Sequence, residues 1–149
     1  MTIASICNHD VVSLDRDATV LQAAKLMRQH HIGSVFVTET KGGKTLPVGI
    51  VTDRDLVVEV LAPELDAGVM TVGDIMQAGL LKIDEQAGVF DAIRLMSGKG
   101  VRRLPVVKKE GELVGVITMD DLMLMLSGEF CSFARLLEKE QHNEIAKRR

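Results

Sequence analysis

The chain spells one phrase twice. GIVTDRDL runs from Gly49 to Leu56 and GVITMDDL from Gly115 to Leu122. Each is an apolar, β-branched run followed by Thr, two variable residues and Asp. A shift that takes Met1 onto Met70 also takes Thr2 onto Thr71, Ile6 onto Ile75, Asp15 onto Asp84 and Val20 onto Val89. It continues through Ala23/Ala92, Leu26/Leu95, Met27/Met96 and Ile32/Val101. The register then slips, because TETKGGKTLPVG is longer than VKKEGELVG. Both segments are charged and contain Gly, and a surface hairpin tolerates such a length change. Nearly all of the 149 residues are therefore two copies of one unit of roughly 60 residues, with a tail.

Each copy carries the same order of signals. Val11–Leu14 and Leu80–Ile83 are short apolar runs that read as strands. Polar turns follow at 15–19 and 84–88. Val20, Ala23, Ala24 and Met27, and again Val89, Ala92, Ile93 and Met96, then recur at the spacing of one helix face. Ile32–Thr38 and Val101–Val107 are β-branched runs, as are Val48–Val51 and Leu113–Ile117. A final helix starts after Thr52 and after Thr118. The first is expected to end at Pro63 and the second at Ser127-Gly128. The fold class is α/β: two β-α-β-β-α repeats, at 1–66 and 67–126, packed with pseudo-two-fold symmetry around a shared core. A C-terminal helical tail follows at 127–149.

At 46% hydrophobic and 26% charged residues the composition is that of a globular domain. Eighteen Lys and Arg against 21 Asp and Glu leave a formal charge of −3. That balance argues against nucleic acid as the main partner, because neutralising phosphates needs a basic surface. No apolar run is long enough to cross a bilayer and no leader is recognisable, so no membrane role is expected and the location reads as cytoplasmic. Cys7 and Cys131 read as small buried hydrophobes of a reducing compartment. The eight methionines read mostly as core fillers. His9, His30, His31 and His142 have no metal-site spacing. No nucleophile, base and partner come together, so no enzyme activity, catalytic cofactor or metal is expected. With no Trp and no Tyr, the chain itself absorbs little at 280 nm.

The strand order, VRRLPVV (101–107) before GVITMDDL, and IGSVFVT (32–38) before GIVTDRDL, resembles the CBS domain, called after cystathionine β-synthase. A tandem pair of these is a Bateman module. One departure is Phe36, which stands where the second copy has Pro105. The resemblance implies a regulatory effector site for an adenosyl ligand: AMP, ADP, ATP, NAD or S-adenosylmethionine. By the same resemblance Asp55 and Asp121 hold ribose hydroxyls, with Thr52 and Thr118 beside ribose or phosphate. Ile32, Gly33 and Ser34, and Val101, Arg102 and Arg103, contribute base and phosphate contacts, and Val12 and Leu81 flank the adenine. Arg54 precedes the first Asp where the second copy has Asp120, so the two sites are expected to differ.

Physical chemistry allows the same reading. T-x-x-D at a strand-to-helix junction puts Thr at the N-cap and Asp at the third helical position, with free amides that attract phosphate. A carboxylate there can accept from a ribose diol, and a guanidinium offers planar donors to phosphate. The plain alternative is a capping box that stabilises its helix by about 1 kcal/mol. The grouping expected to bind phosphate best is Thr118 and Asp121 with Arg102 and Arg103.

Leu122–Leu126 is apolar almost all round, which suggests burial on more than one side and a homodimer through the helices of the repeats. Tandem CBS pairs commonly dimerise this way. Phe130, Phe133, Leu136 and Leu137 fall on one face of a helical tail, expected to dock on a second subunit or a partner. Two functions stand: a regulatory module that reports ligand state to an unknown regulated protein, or a non-catalytic scaffold with vestigial clefts that works through its terminal helix.

Overall fold

The computed structural model describes residues 1–148. The first repeat contains β1 (Ser13–Asp15), α1 (Val20–His30), β2 (Ser34–Lys41) and β3 (Lys44–Thr52). Helix α2 (Asp53–Asp55) continues as a π-wound stretch, Leu56–Leu61, before Pro63. After a linker come α3 (Val72–Ile75) and β4 (Gln77–Ala78). The second repeat then runs through β5 (Ile83–Asp84), α4 (Val89–Lys99), β6 (Arg103–Val107), β7 (Leu113–Thr118) and α5 (Met119–Lys147).

The duplication is exact enough to repeat irregularities. β1 pairs with β2 in parallel and β2 with β3 antiparallel, with a bulge between Val37 and Thr38. β5, β6 and β7 pair in the same way, with the matching bulge between Val106 and Val107. Both first helices end on a left-handed residue, His31 (φ 53°) and Gly100 (φ 66°). For His31 this is a modest strain that the glycine of the second copy avoids.

The linear order hides an exchange of arms. Residues ahead of each first strand fold into the other repeat. The amides of Ile3 and Ala4 donate to the carbonyls of Ala87 and Glu85, at 2.9 Å each. Those of Val72 and Gly73 donate to Ala18 and Arg16, at 2.8 and 2.9 Å. β4 adds to β3 at Gly49 and Ile50, and Asn8 bridges to Val116 of β7. The expected single shared core is in fact two clusters. One holds Ala23, Met27, Val35, Val37 and Val51 with the imported Val72. The other holds Ile83, Val89, Ala92, Met96, Leu104, Val106, Ile117 and Leu122 with the imported Ile3 and Cys7. The repeats are tied by swapped arms rather than by one continuous core.

Two further expectations are corrected, on the end of α5 and on Cys131, and the exposure of the 122–126 stretch is defined. α5 does not stop at Ser127-Gly128 but runs on to Lys147. A single Gly costs a helix about 1 kcal/mol without breaking it, and Ser127 donates its hydroxyl to the Leu124 carbonyl. Cys131 is exposed on this helix, and only Cys7 is buried. In the 122–126 stretch Leu122 is buried, whereas Met123 and Leu124 are 59% and 72% exposed, so a single chain covers one side of it.

Candidate functional site

Each strand-to-helix junction is closed by a capping box. The Asp55 amide donates to Thr52 Oγ1 at 3.1 Å, and the Thr52 amide donates to Asp55 Oδ2 at 2.9 Å. Thr118 and Asp121 repeat both bonds at the same distances, and the Thr118 hydroxyl also donates to Asp121 Oδ2 at 2.6 Å. Both carboxylates are half-buried, and at α2 the first three helical amides are already engaged, by the Gly33 carbonyl, the Asp53 carboxylate and Thr52 Oγ1. A carbonyl at the start of each middle strand receives the first helical amide. Gly33 accepts from Asp53 at 3.0 Å and Arg102 accepts from Met119 at 2.8 Å.

Between the repeats lies a cleft of about 310 Å³. Its apolar walls are Phe36, Ile50, Leu80, Leu81 and Val101, and its polar groups are Thr52, Gln77, Arg102 and Arg103. Each repeat supplies one wall: Thr52 closes β3 of the first, while the arginines open β6 of the second. Arg103 is the strand partner of Thr118, yet its guanidinium reaches across the pseudo-dyad to donate to Ser34 Oγ. Arg102 is exposed and pairs with Asp120 at 3.4 Å.

This geometry regroups the expected site. Arg102 and Arg103 line the cleft with Thr52 and Leu81, not with Thr118 and Asp121. The cause is the pseudo-two-fold: the middle-strand start of one repeat faces the closing motif of the other. Val12 lies apart, in a hollow of about 560 Å³ with Asp10, Val11, Ser13, Leu26 and His30. Ser34 is buried, Ile32 packs against the first core and Gly33 is exposed, held close to Asp53. Arg54 is exposed and does not line the cleft.

Gln77 escaped the sequence reading. Its Nε2 donates to Asp55 Oδ1 and Oδ2 at 3.1 and 3.3 Å. It sits on the imported strand β4, so only knowledge of the arm exchange would have placed it there. The Asp55 carboxylate thus accepts from two donors, the Thr52 amide and Gln77 Nε2, before any ligand arrives. Asp121 keeps Oδ1 without a bond among the described residues. Among the described residues no cluster of His, Cys, Asp and Glu could hold a metal ion. No helix among them is long and apolar enough to cross a membrane.

Two stacked β-α-β-β-α units with a ligand-sized cleft between them define a tandem repeat architecture, and comparison places it. The family model of the CBS domain matches residues 3–62 and 72–128, so the chain belongs to the CBS-domain family. It is 34% identical to an uncharacterized protein of Methanopyrus kandleri over 83% of its own length, and spans 61% of that protein. It is 32% identical to hypoxic response protein 1 of Mycobacterium tuberculosis, over 81% of this chain and 82% of that one. The CBS domain pair of protein MJ0100, in complex with 5-methylthioadenosine and S-adenosyl-L-methionine, shares the fold at a TM-score of 0.72. That likeness covers 87% of this chain and 98% of that one at 22% identity.

Proposed function

We propose that the chain is a regulatory sensor that binds an adenosyl ligand in the cleft between its repeats and signals to a partner protein. The observation that carries this reading is the composite cleft. Thr52 and the apolar Phe36 and Ile50 come from one repeat, and two guanidiniums come from the other. A ligand with an aromatic base, a diol and an anionic or polar tail matches those three chemistries. The base fits between the apolar walls and the tail meets Arg102 and Arg103. Asp55 does not itself line the cleft but is bonded to Gln77, which does, so the diol reaches it by displacing that side chain. About 310 Å³ is at the small end of ligand cavities, which favours a mononucleotide or nucleoside over NAD.

Ligand binding would draw the two repeats together, because neither holds the site alone. That differential contact is what allows a ligand to bias one relative orientation of the repeats over another. The chain is read as a homodimer through helices of both repeats. Val57, Val58 and Leu61 after α2, Phe90 of α4, and Met123 and Leu124 of α5 all stand exposed.

The test is calorimetric titration with AMP, ADP, ATP, NAD and S-adenosylmethionine, on the wild type and on Asp55→Ala and Arg103→Ala. One ligand should bind, and each variant should weaken it about tenfold or more. With no Trp and no Tyr, a co-purified adenine compound would show directly near 260 nm. Absence of heat and of thermal shift with all five would reject the sensor. The scaffold reading would then stand, favoured by the engagement of Asp55 with Thr52 and Gln77 alone.

A further inference from the structure

Helix α5 carries a heptad seam that outlasts the body of the protein. Met119, Met123, Leu126, Phe130, Phe133 and Leu137 follow one another in alternating four- and three-residue steps. That is the a/d spacing of a two-stranded coiled coil. The first three line an apolar groove of about 480 Å³ against Ile93, Met96 and Ser97 of α4. The last three project beyond the repeats, with Phe130, Phe133 and Leu137 each at least 60% exposed. A lone helical extension of this length, interrupted by Gly128, is marginal in water without a partner.

The charges along the seam select the partner and its direction. Where the apolar series ends, Glu140 and Glu144 occupy the next two seam positions. Parallel pairing with a second α5 would set Glu140 against Glu140 and Glu144 against Glu144, like charges inside the seam. Antiparallel pairing opposes Phe130 to Phe133 and Leu126 to Leu137. It carries Glu140 and Glu144 toward Met123 and Met119 of the second copy. That is the basic end of the groove, where α4 finishes at Lys99 and Arg102 lines the wall. Asp120 also stands there, already paired with Arg102.

We propose that α5 beyond Ser127 pairs antiparallel with α5 of a second copy, seating its Phe133 and Leu137 over that copy's α4–α5 groove. The inference rests on the homodimer reading above and adds which element is exchanged and in which direction. A dimer so built makes the tail part of its partner's surface, next to Arg102 and therefore next to the ligand cleft.

The test places single cysteines on the seam in a Cys131→Ser background, with Cys7 left buried. Leu126→Cys and Leu137→Cys, co-expressed and oxidised, should give a covalent dimer, whereas each alone should give none. Cross-linking of either variant with itself means parallel pairing and overturns the proposal; so does a co-expressed pair that never links. Sedimentation of the wild type separates the two readings. A wild-type monomer sinks the homodimer and the exchange together. A wild-type dimer whose tail never links keeps the homodimer and rejects the exchange alone. Glu140→Lys should weaken the dimer several-fold, with partial recovery in the double variant Glu140→Lys, Arg102→Glu. A dimer indifferent to both changes rejects the register.

Discussion

Gly49 and Gly115 open the duplicated phrase because the exchanged arms cross there. A Cβ on Gly115 would lie 2.7 Å from Cys7 Sγ and 3.0 Å from the Asn8 carbonyl oxygen. One on Gly49 would lie 2.5 Å from Met76 Sδ. Neither position is blocked only by a flexible tip: the Asn8 carbonyl closes the first, and Met76 closes the second back to its Cβ at 3.0 Å. Gly115→Ala and Gly49→Ala should therefore each cost about 1–3 kcal/mol, read by denaturant unfolding. Equal small losses would mean the arms are held loosely. At this scale the sequence was partly legible. The T-x-x-D boxes, visible as text, are formed in both copies. The partnership of Thr52 with Arg102 and Arg103 was not visible, because a linear repeat shows which residues correspond and not which ones face each other. Gln77 was hidden for the same reason.

At the scale of elements, the arms make each repeat depend on residues numbered with the other. Ile3 is fully buried in the second core, and Val72 is almost fully buried in the first. Ile3→Ala should cost about 2–5 kcal/mol, the usual range for a buried aliphatic, and should loosen the second repeat. Hydrogen exchange would show it. The slowest amides of β6 and β7 should lose protection before those of β2 and β3, and the opposite order would contradict the exchange. α3 offers a test of pH. The Thr71 backbone amide, then the Thr71 hydroxyl, hold the Asp74 carboxyl below the usual carboxylate range. A lowered folded pKa stabilises above the unfolded value and is lost as pH falls through the folded one. Asp74→Asn should thus trail the wild type at neutral pH and converge with it below the ordinary Asp range. Periodicity located the helices and strands well. It failed at Ser127-Gly128, because a breaker signal weighs local propensity while an apolar seam on α5 continues through it.

At the scale of the whole molecule, the two repeats are joined by arms that cross and by a cleft that neither completes alone. A ligand in that cleft adds contacts to both halves at once. If the protein binds it only when folded, stability rises by about 2.7 kcal/mol at a hundredfold excess over the dissociation constant. Both repeats should share that gain, so native-state hydrogen exchange should slow in β2–β3 and in β6–β7 together. A ligand that protected the first repeat alone would be bound by the Thr52 box without the arginines, and the composite site would be wrong. Arg103→Ala sharpens the outcome. It removes the guanidinium that spans the pseudo-dyad to Ser34 and leaves the capping box of Thr52 and Asp55 intact. In that variant Arg102 and the apolar wall of the second repeat remain, so residual ligand binding should protect the second repeat less than the first. The coupling between halves, rather than affinity alone, is then the quantity that separates a sensor from a pair of capped helices.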